Sequence, residues 1–232
     1  MTLANFVCGL ASICRVHAGE PVQALILIFA GQMFDLFDGR LARRFGSTRR
    51  GPMYDDIADG TSFGFALGYL IYWLLAEYGL PVPLASGVAI LYVFAVIYRL
   101  YRFLHPTREM PPGIFQGMPA PAGAMLAGSS VLLCSDVSPW WSAVLVVLTA
   151  LLLVSSIPYR HFGQHMWPSL PRTLKLLFGL LLLIFVNLAI ANREYAILFR
   201  RYCFLMASLY AVSGIDYRGA RGRRRKDEPE GE

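Results

Sequence analysis

The residues able to do chemistry in this chain are concentrated between positions 35 and 59, DLFDGRLARRFGSTRRGPMYDDIAD, which hold five of the fifteen acidic side chains. Asp35 and Asp38 stand three apart at the end of one apolar run, and Asp55 and Asp59 stand four apart at the start of the next. Residues at those spacings share a helix face, so each helix offers a carboxylate pair and the basic turn between them can bring the pairs together. An ionised carboxylate at membrane depth costs roughly 2.5–3.5 kcal/mol on insertion scales, and four would cost roughly 10–14 kcal/mol if nothing offset them. Something cationic must share the site. Oxygen donors with no His or Cys nearby suit Mg²⁺, Mn²⁺ or Ca²⁺ better than zinc, and Mg²⁺ in particular combines a few carboxylates with substrate phosphates. Two such ions can clamp a diphosphate and stabilise charge on its leaving group. Arg43, about a turn beyond Asp38, offers a further phosphate contact. The plainer arrangement, salt bridges from these Asp residues to Arg40, Arg43, Arg49 and Arg50, does not explain why both helices present carboxylates one turn apart. Spacing does not separate Asp56 from Asp55, because Asp56 also stands one turn from Asp59.

The elements that must position these carboxylates are long and apolar. A chain of 232 residues that is 56% hydrophobic and 16% charged is either one domain with a large core or a membrane bundle. The apolar runs decide for the bundle: 174–191, for example, carries a single charge, Lys175, in about the ~18 residues a spanning helix needs. The expected fold is all-α, a polytopic membrane bundle of about eight helices near 3–18, 21–44, 53–78, 82–104, 119–134, 140–157, 173–191 and 195–213. Pro21 and Pro121 fit first helical turns, and Pro81, Pro83, Pro111, Pro112, Pro158, Pro168 and Pro171 punctuate loops. Residues 1–215 are expected to form one membrane domain, and 216–232 a disordered cytoplasmic tail of basic and acidic residues. Gly60, Gly64 and Gly68, four apart, let two helix backbones approach closely, within the chain or across a dimer seam.

Charge placement sets orientation. The regions 40–50, 99–115, 158–175 and the tail from 216 hold 17 of the 21 basic residues, which puts those loops, both termini and the carboxylates on the cytoplasmic side. The net charge of +6 therefore reads as topology signalling and contact with anionic lipid rather than nucleic-acid binding. Arg200 and Arg201 fall awkwardly inside the last span. Cys8, Cys14, Cys134 and Cys203 show neither disulfide nor metal spacing, and Pro and Gly around His161 and His165 argue against a helical metal pair. Met1 leads into TLANFVCGLASI without a basic n-region, so the first helix is expected to remain as an anchor.

The order Asp35, Asp38-Gly39, Ala42-Arg43, Gly51, Asp55, Asp59 resembles the CDP-alcohol phosphatidyltransferase family, DxxDGxxAR followed by GxxxDxxxD, with the link from Arg43 to Gly51 one residue shorter than usual. TLANFVCGLASI, DGTSFG, YRLYRF at 98–103, FQGMPAPAGA at 115–124, SSIPY at 155–159 and YAVSG at 210–214 resemble the phosphatidylserine-forming branch.

The resemblance implies transfer of a phosphatidyl group from CDP-diacylglycerol, or an archaeal ether-lipid counterpart, to L-serine with release of CMP. It implies two Mg²⁺ or Mn²⁺ ions on Asp35, Asp38, Asp55 and Asp59, with Asp59 also the proton acceptor. It places Gly39, Ala42, Arg43, Thr48 and Gly51 along the CDP-lipid, and Asn5 at the border of that pocket. Glycines at 39 and 51 suit close approach of a nucleotide to backbone. Arg99 and Arg102, on the same side of the bundle, are expected to bind the acceptor's carboxylate or a lipid phosphate, beside their part in topology. The resemblance further implies a multi-pass inner-membrane enzyme, commonly a homodimer, with no nucleic-acid partner. The acceptor itself is not legible from spacing: glycerol phosphate, inositol phosphate or choline would use the same chemistry. A divalent-cation transporter is the reading from another class, and the DG and AR pairs give it no advantage.

Overall fold

A computed structural model describes residues 2–45, 51–105, 113–134, 136, 138–160, 171–191 and 196–215, with side chains at 35–45, 51, 52, 178, 185, 189 and 191 outside the description. Helical rods stand at all eight expected positions. They are α1 (Thr2–His17), α2 (Pro21–Phe45), a third rod of α3 (Gly51–Asp59), a π-helical segment (Gly60–Ala66) and α4 (Leu67–Glu77), then α5 (Val82–Leu104), α6 (Ala120–Leu132), α7 (Pro139–Val154), α8 (Arg172–Ala191) and α9 (Ala196–Ser213). Pro81 and Pro119 sit at the N-caps of α5 and α6, where a missing N–H costs nothing.

The centre of the bundle is α6, whose sequence APAGAMLAGSSVL is mostly small. Every residue from Leu126 to Leu132 is buried, and a Cβ on Gly128 would come within 2.5 Å of Leu25 of α2 and 3.1 Å of Leu67 of α4. Its hydroxyls are turned back on the helix: Ser129 and Ser130 each donate to the carbonyl four residues earlier at 2.6 Å. Such back-bonding lets polar residues sit in an apolar core without an unsatisfied donor. The glycine ladder of the third rod packs inside the chain. Gly60 faces Leu100, Gly64 faces Val96 and Gly68 faces Val93, all on α5.

Many large apolar side chains face outward from the bundle. Leu3, Val7 and Leu10 of α1, Ile90, Phe94 and Ile97 of α5, and Trp140, Trp141, Leu148 and Leu151 of α7 are all exposed. Among the described residues Val82–Leu104 and Ala196–Ser213 are long and apolar enough to cross a membrane, and Pro21–Phe34, Ala120–Leu132 and Pro139–Val154 are shorter apolar helices. Arg200 and Arg201 prove compatible with the last helix. Arg200 donates to the Leu132 carbonyl at the end of α6, and both arginines lie 3.5 Å from Asp136.

One departure from an all-α fold is a small ribbon. Strand β1 (Ile114–Gln116) pairs antiparallel with β2 (Pro158–Arg160), Phe115 opposite Tyr159, and Tyr159 also bridges to Ile215. Three-residue strands carry too little alternation to be read as strands, and these lie among Pro and Gly.

Candidate functional site

Helix α1 carries Asn5, Gly9, Ser12 and Val16 on one buried stripe, with Thr2 at its start. Positions three and four apart form that stripe, and all but Val16 are small or polar, so the helix can serve as a floor on which other backbones lie closely. It packs against α2, α3 and the π segment. A Cβ on Gly31 of α2 would come within 2.5 Å of Asn5 Oδ1, and one on Gly9 within 2.6 Å of Ser62 Oγ. Asn5 is thus the meeting point of three elements.

The carboxylates of α3 come to that point. Asn5 Nδ2 donates to Asp59 Oδ1 at 3.0 Å, and Thr2 Oγ1 stands 3.5 Å from Asp55 Oδ1. Asp55 and Asp59, one turn apart, therefore share the face turned to α1. Asp56, which spacing left open, is half-buried and lies within electrostatic reach of Arg99 on α5. On α2, Asp35 and Asp38 lie one and two turns past Gly31, on the stretch running on from the Asn5 contact, and Gly39, Ala42 and Arg43 follow in its last two turns. The side chains of these five, and Thr48 entirely, lie outside the described residues, while Gly51 opens α3. The donors that are described, a pair of carboxylates with no His or Cys alongside, fit a hard divalent cation. Among the described residues no three acidic, His or Cys side chains are grouped so as to hold a metal ion, so a complete ligand set would need α2.

The two arginines of YRLYRF separate. The Arg99 guanidinium lies 5.6 Å from the Phe103 ring centre and 5.9 Å from that of Phe115, and it is near enough to Asp59, Asp56 and Tyr210 for their charges to act on it. Arg102 goes elsewhere. It is 8% exposed and donates to the carbonyls of Val154 (2.7 Å), Gln116 (2.7 Å) and Leu153 (3.1 Å). The last carbonyls of a helix have no partners within it. At the end of α7, Arg102 supplies them for Leu153 and Val154, while Met118 N–H and Ser155 Oγ supply them for Leu152. The structure thus places Arg102, expected to meet substrate, with its guanidinium engaged by three carbonyls in a clasp where α7 ends beside β1. Gly117, at φ +77°, lets the chain turn past it, since a Cβ there would lie 2.5 Å from the guanidinium.

That clasp gathers segments far apart in sequence. FQG of β1 pairs with IPY around β2, the Tyr159 hydroxyl donates to the Ala211 carbonyl at 2.9 Å, and the Tyr210 hydroxyl donates to the Arg160 carbonyl at 2.9 Å. Sequence reasoning missed two residues at the other cluster. Ser62 and Gly9 belong to the floor around Asn5; the small-residue stripe of α1 at helical spacing was the available signal for Gly9, and nothing local marked Ser62 on the π segment. Asn5, expected to border a lipid pocket, is fully buried, and its described side-chain contacts are Asp59 and Ser62.

Comparison with known proteins gives one consistent picture. A family model described as CDP-alcohol phosphatidyltransferase matches residues 1–155. Relatives named CDP-diacylglycerol–serine O-phosphatidyltransferase include those of Mycobacterium leprae, 34% identical over 69% of this chain and 56% of the relative, and Bacillus subtilis, 32% identical over 71% and 90%. A third, from Helicobacter pylori, is 29% identical over 92% of this chain and 87% of the relative. The chain thus spans a little over half the length of the mycobacterial relatives it matches.

Proposed function

Because the chain belongs to the CDP-alcohol phosphatidyltransferase family, we propose that it transfers the phosphatidyl group of CDP-diacylglycerol to L-serine, giving phosphatidylserine and CMP. The observation that carries the reading is the pair Asp55 and Asp59 on one face of α3, with Asp59 held by Asn5, inside the stretch matched by the family. In this reading Asp59 accepts the proton of the attacking serine hydroxyl, the hydroxyl oxygen forms a bond to the lipid-side phosphorus, and the bond from that phosphorus to CMP breaks. Two Mg²⁺ or Mn²⁺ ions, with Asp35, Asp38, Asp55 and Asp59 as the residues to hold them, supply charge neutralisation at the pyrophosphate when bound. Gly39, Ala42, Arg43, Thr48 and Gly51 line the CDP-lipid. Arg99, between the Asp59 side and Tyr210, receives the carboxylate of serine, and Phe103 and Phe115 flank its guanidinium.

The apolar exterior and the placement of basic residues support the remaining features of the reading. The bundle of 1–215 crosses the inner membrane about eight times, with both termini, the 216–232 tail and the site at the cytoplasmic face, and it assembles as a homodimer. The test supplies purified full chain with CDP-diacylglycerol, Mn²⁺ and a panel of serine, glycerol phosphate, inositol phosphate and choline, following CMP and the lipid product. Serine-dependent CMP release with phosphatidylserine as product is expected. A product with inositol phosphate and none with serine would overturn the acceptor, and no CMP release with any alcohol would overturn the reaction.

A further inference from the structure

The family motif includes Asp59 but not what stands behind it. Ser62 is fully buried three residues later in the π-helical segment, and its hydroxyl lies 2.8 Å from Asn5 Oδ1 and 2.9 Å from the Asn5 carbonyl oxygen. Both neighbours are acceptors, so the single hydroxyl proton is directed at Asn5. With its amide oxygen turned to Ser62, Asn5 presents Nδ2 to Asp59 Oδ1 at 3.0 Å. The opposite amide orientation would set two acceptor oxygens, of Asn5 and Asp59, against each other. Gly9 and Gly31 clear the space: a Cβ at either position would fall within 2.6 Å of the Ser62 hydroxyl or the Asn5 amide oxygen, respectively. The segment that delivers Ser62 is also the one π-helical stretch among the described residues, and such turns recur at functional sites.

We propose that Ser62 and Asn5 form a buried positioning relay, in which the Ser62 hydroxyl orients the Asn5 carboxamide and the carboxamide fixes the plane of the Asp59 carboxylate. This rests on the reading of Asp59 as metal ligand and proton acceptor. Asn5 and Ser62 are both 0% exposed, so they act through Asp59 rather than on substrate. Outer hydrogen-bond partners of this kind orient a ligand and typically alter metal affinity or activity by about 10–100-fold when removed.

The test uses the full chain purified in detergent. Mn²⁺ binding is measured by EPR without substrate, and kcat and KM by CMP release, for wild type, Ser62→Ala, Asn5→Ala, the double variant, Asp59→Asn and Ser12→Ala. Ser62→Ala is expected to weaken Mn²⁺ binding and lower kcat by about tenfold each, with KM for serine unchanged within about twofold. The double variant is expected to be no worse than Asn5→Ala, because two members of one relay do not act additively. Ser12, whose hydroxyl donates to the Gly9 carbonyl at 2.8 Å on the same buried stripe, serves as control, and Ser12→Ala is expected to bind Mn²⁺ like wild type. Wild-type behaviour of Ser62→Ala, or multiplicative losses in the double variant, overturns the relay while leaving the site assignment in place. Unchanged Mn²⁺ binding in Asp59→Asn overturns the assignment of the site itself.

Discussion

At the α1–α3 contact and at the clasp beside α7, polar groups are buried in an otherwise apolar bundle, and the two regions deal with them in opposite ways. At the contact, short side chains on three elements converge on one amide, Asn5, and the carboxylates they hold stay partly exposed. At the clasp, one long cation, Arg102, is buried and engaged with three carbonyls. In the first the charged groups stay partly exposed; in the second the charge is enclosed. Arg99 and Arg102, three residues apart on one helix, make different contacts: Arg99 lies against the Phe103 and Phe115 rings, and Arg102 bonds three carbonyls.

The comparison can be broken most sharply at Asp59. Asp59→Asn is expected to lower CMP release by about 10³-fold, within the range for loss of a proton acceptor, with little change in thermal stability. Measuring both on the same preparation separates chemistry from folding. Arg102→Ala is the converse. It leaves helix-end carbonyls without donors and is expected to destabilise the chain by about 2–4 kcal/mol, seen as a lower melting temperature in detergent, with KM for serine unchanged where the protein remains folded. Equal loss of serine affinity and stability would show that the clasp takes part in binding.

Arg99→Ala is expected to raise KM for serine about tenfold with a melting temperature close to wild type, the value of one charge-assisted contact. An unchanged KM would return Arg99 to a role in topology. The smallest effect is expected from Tyr159→Phe, which removes the hydrogen bond to the Ala211 carbonyl at about 1 kcal/mol and should leave kcat alone.

Much of the scaffold was legible because helical periodicity and apolar run length are local properties. Val82–Leu104 agrees with the expected 82–104, and α1, α2 and α6 agree to within a few residues. The ribbon was not legible, since its strands pair residues more than forty positions apart and neither is long enough to alternate. The glycine ladder at 60, 64 and 68 was legible as a close contact, but its partner was not; spacing says how near a backbone can come and not whose backbone it is.

The sequence by itself determined the rods, their charge asymmetry and the one-turn spacing of Asp35 with Asp38 and Asp55 with Asp59, because each follows from residues within a turn or two of one another. The tertiary structure decided which polar groups meet: Asn5 with Asp59, Ser62 with Asn5, and Arg102 with Gln116, Leu153 and Val154. Those partners lie between 14 and 57 residues away along the chain. A guanidinium or an amide has the same composition and spacing whether it faces a ligand or a helix end, so only the packing that brings distant segments together can assign it.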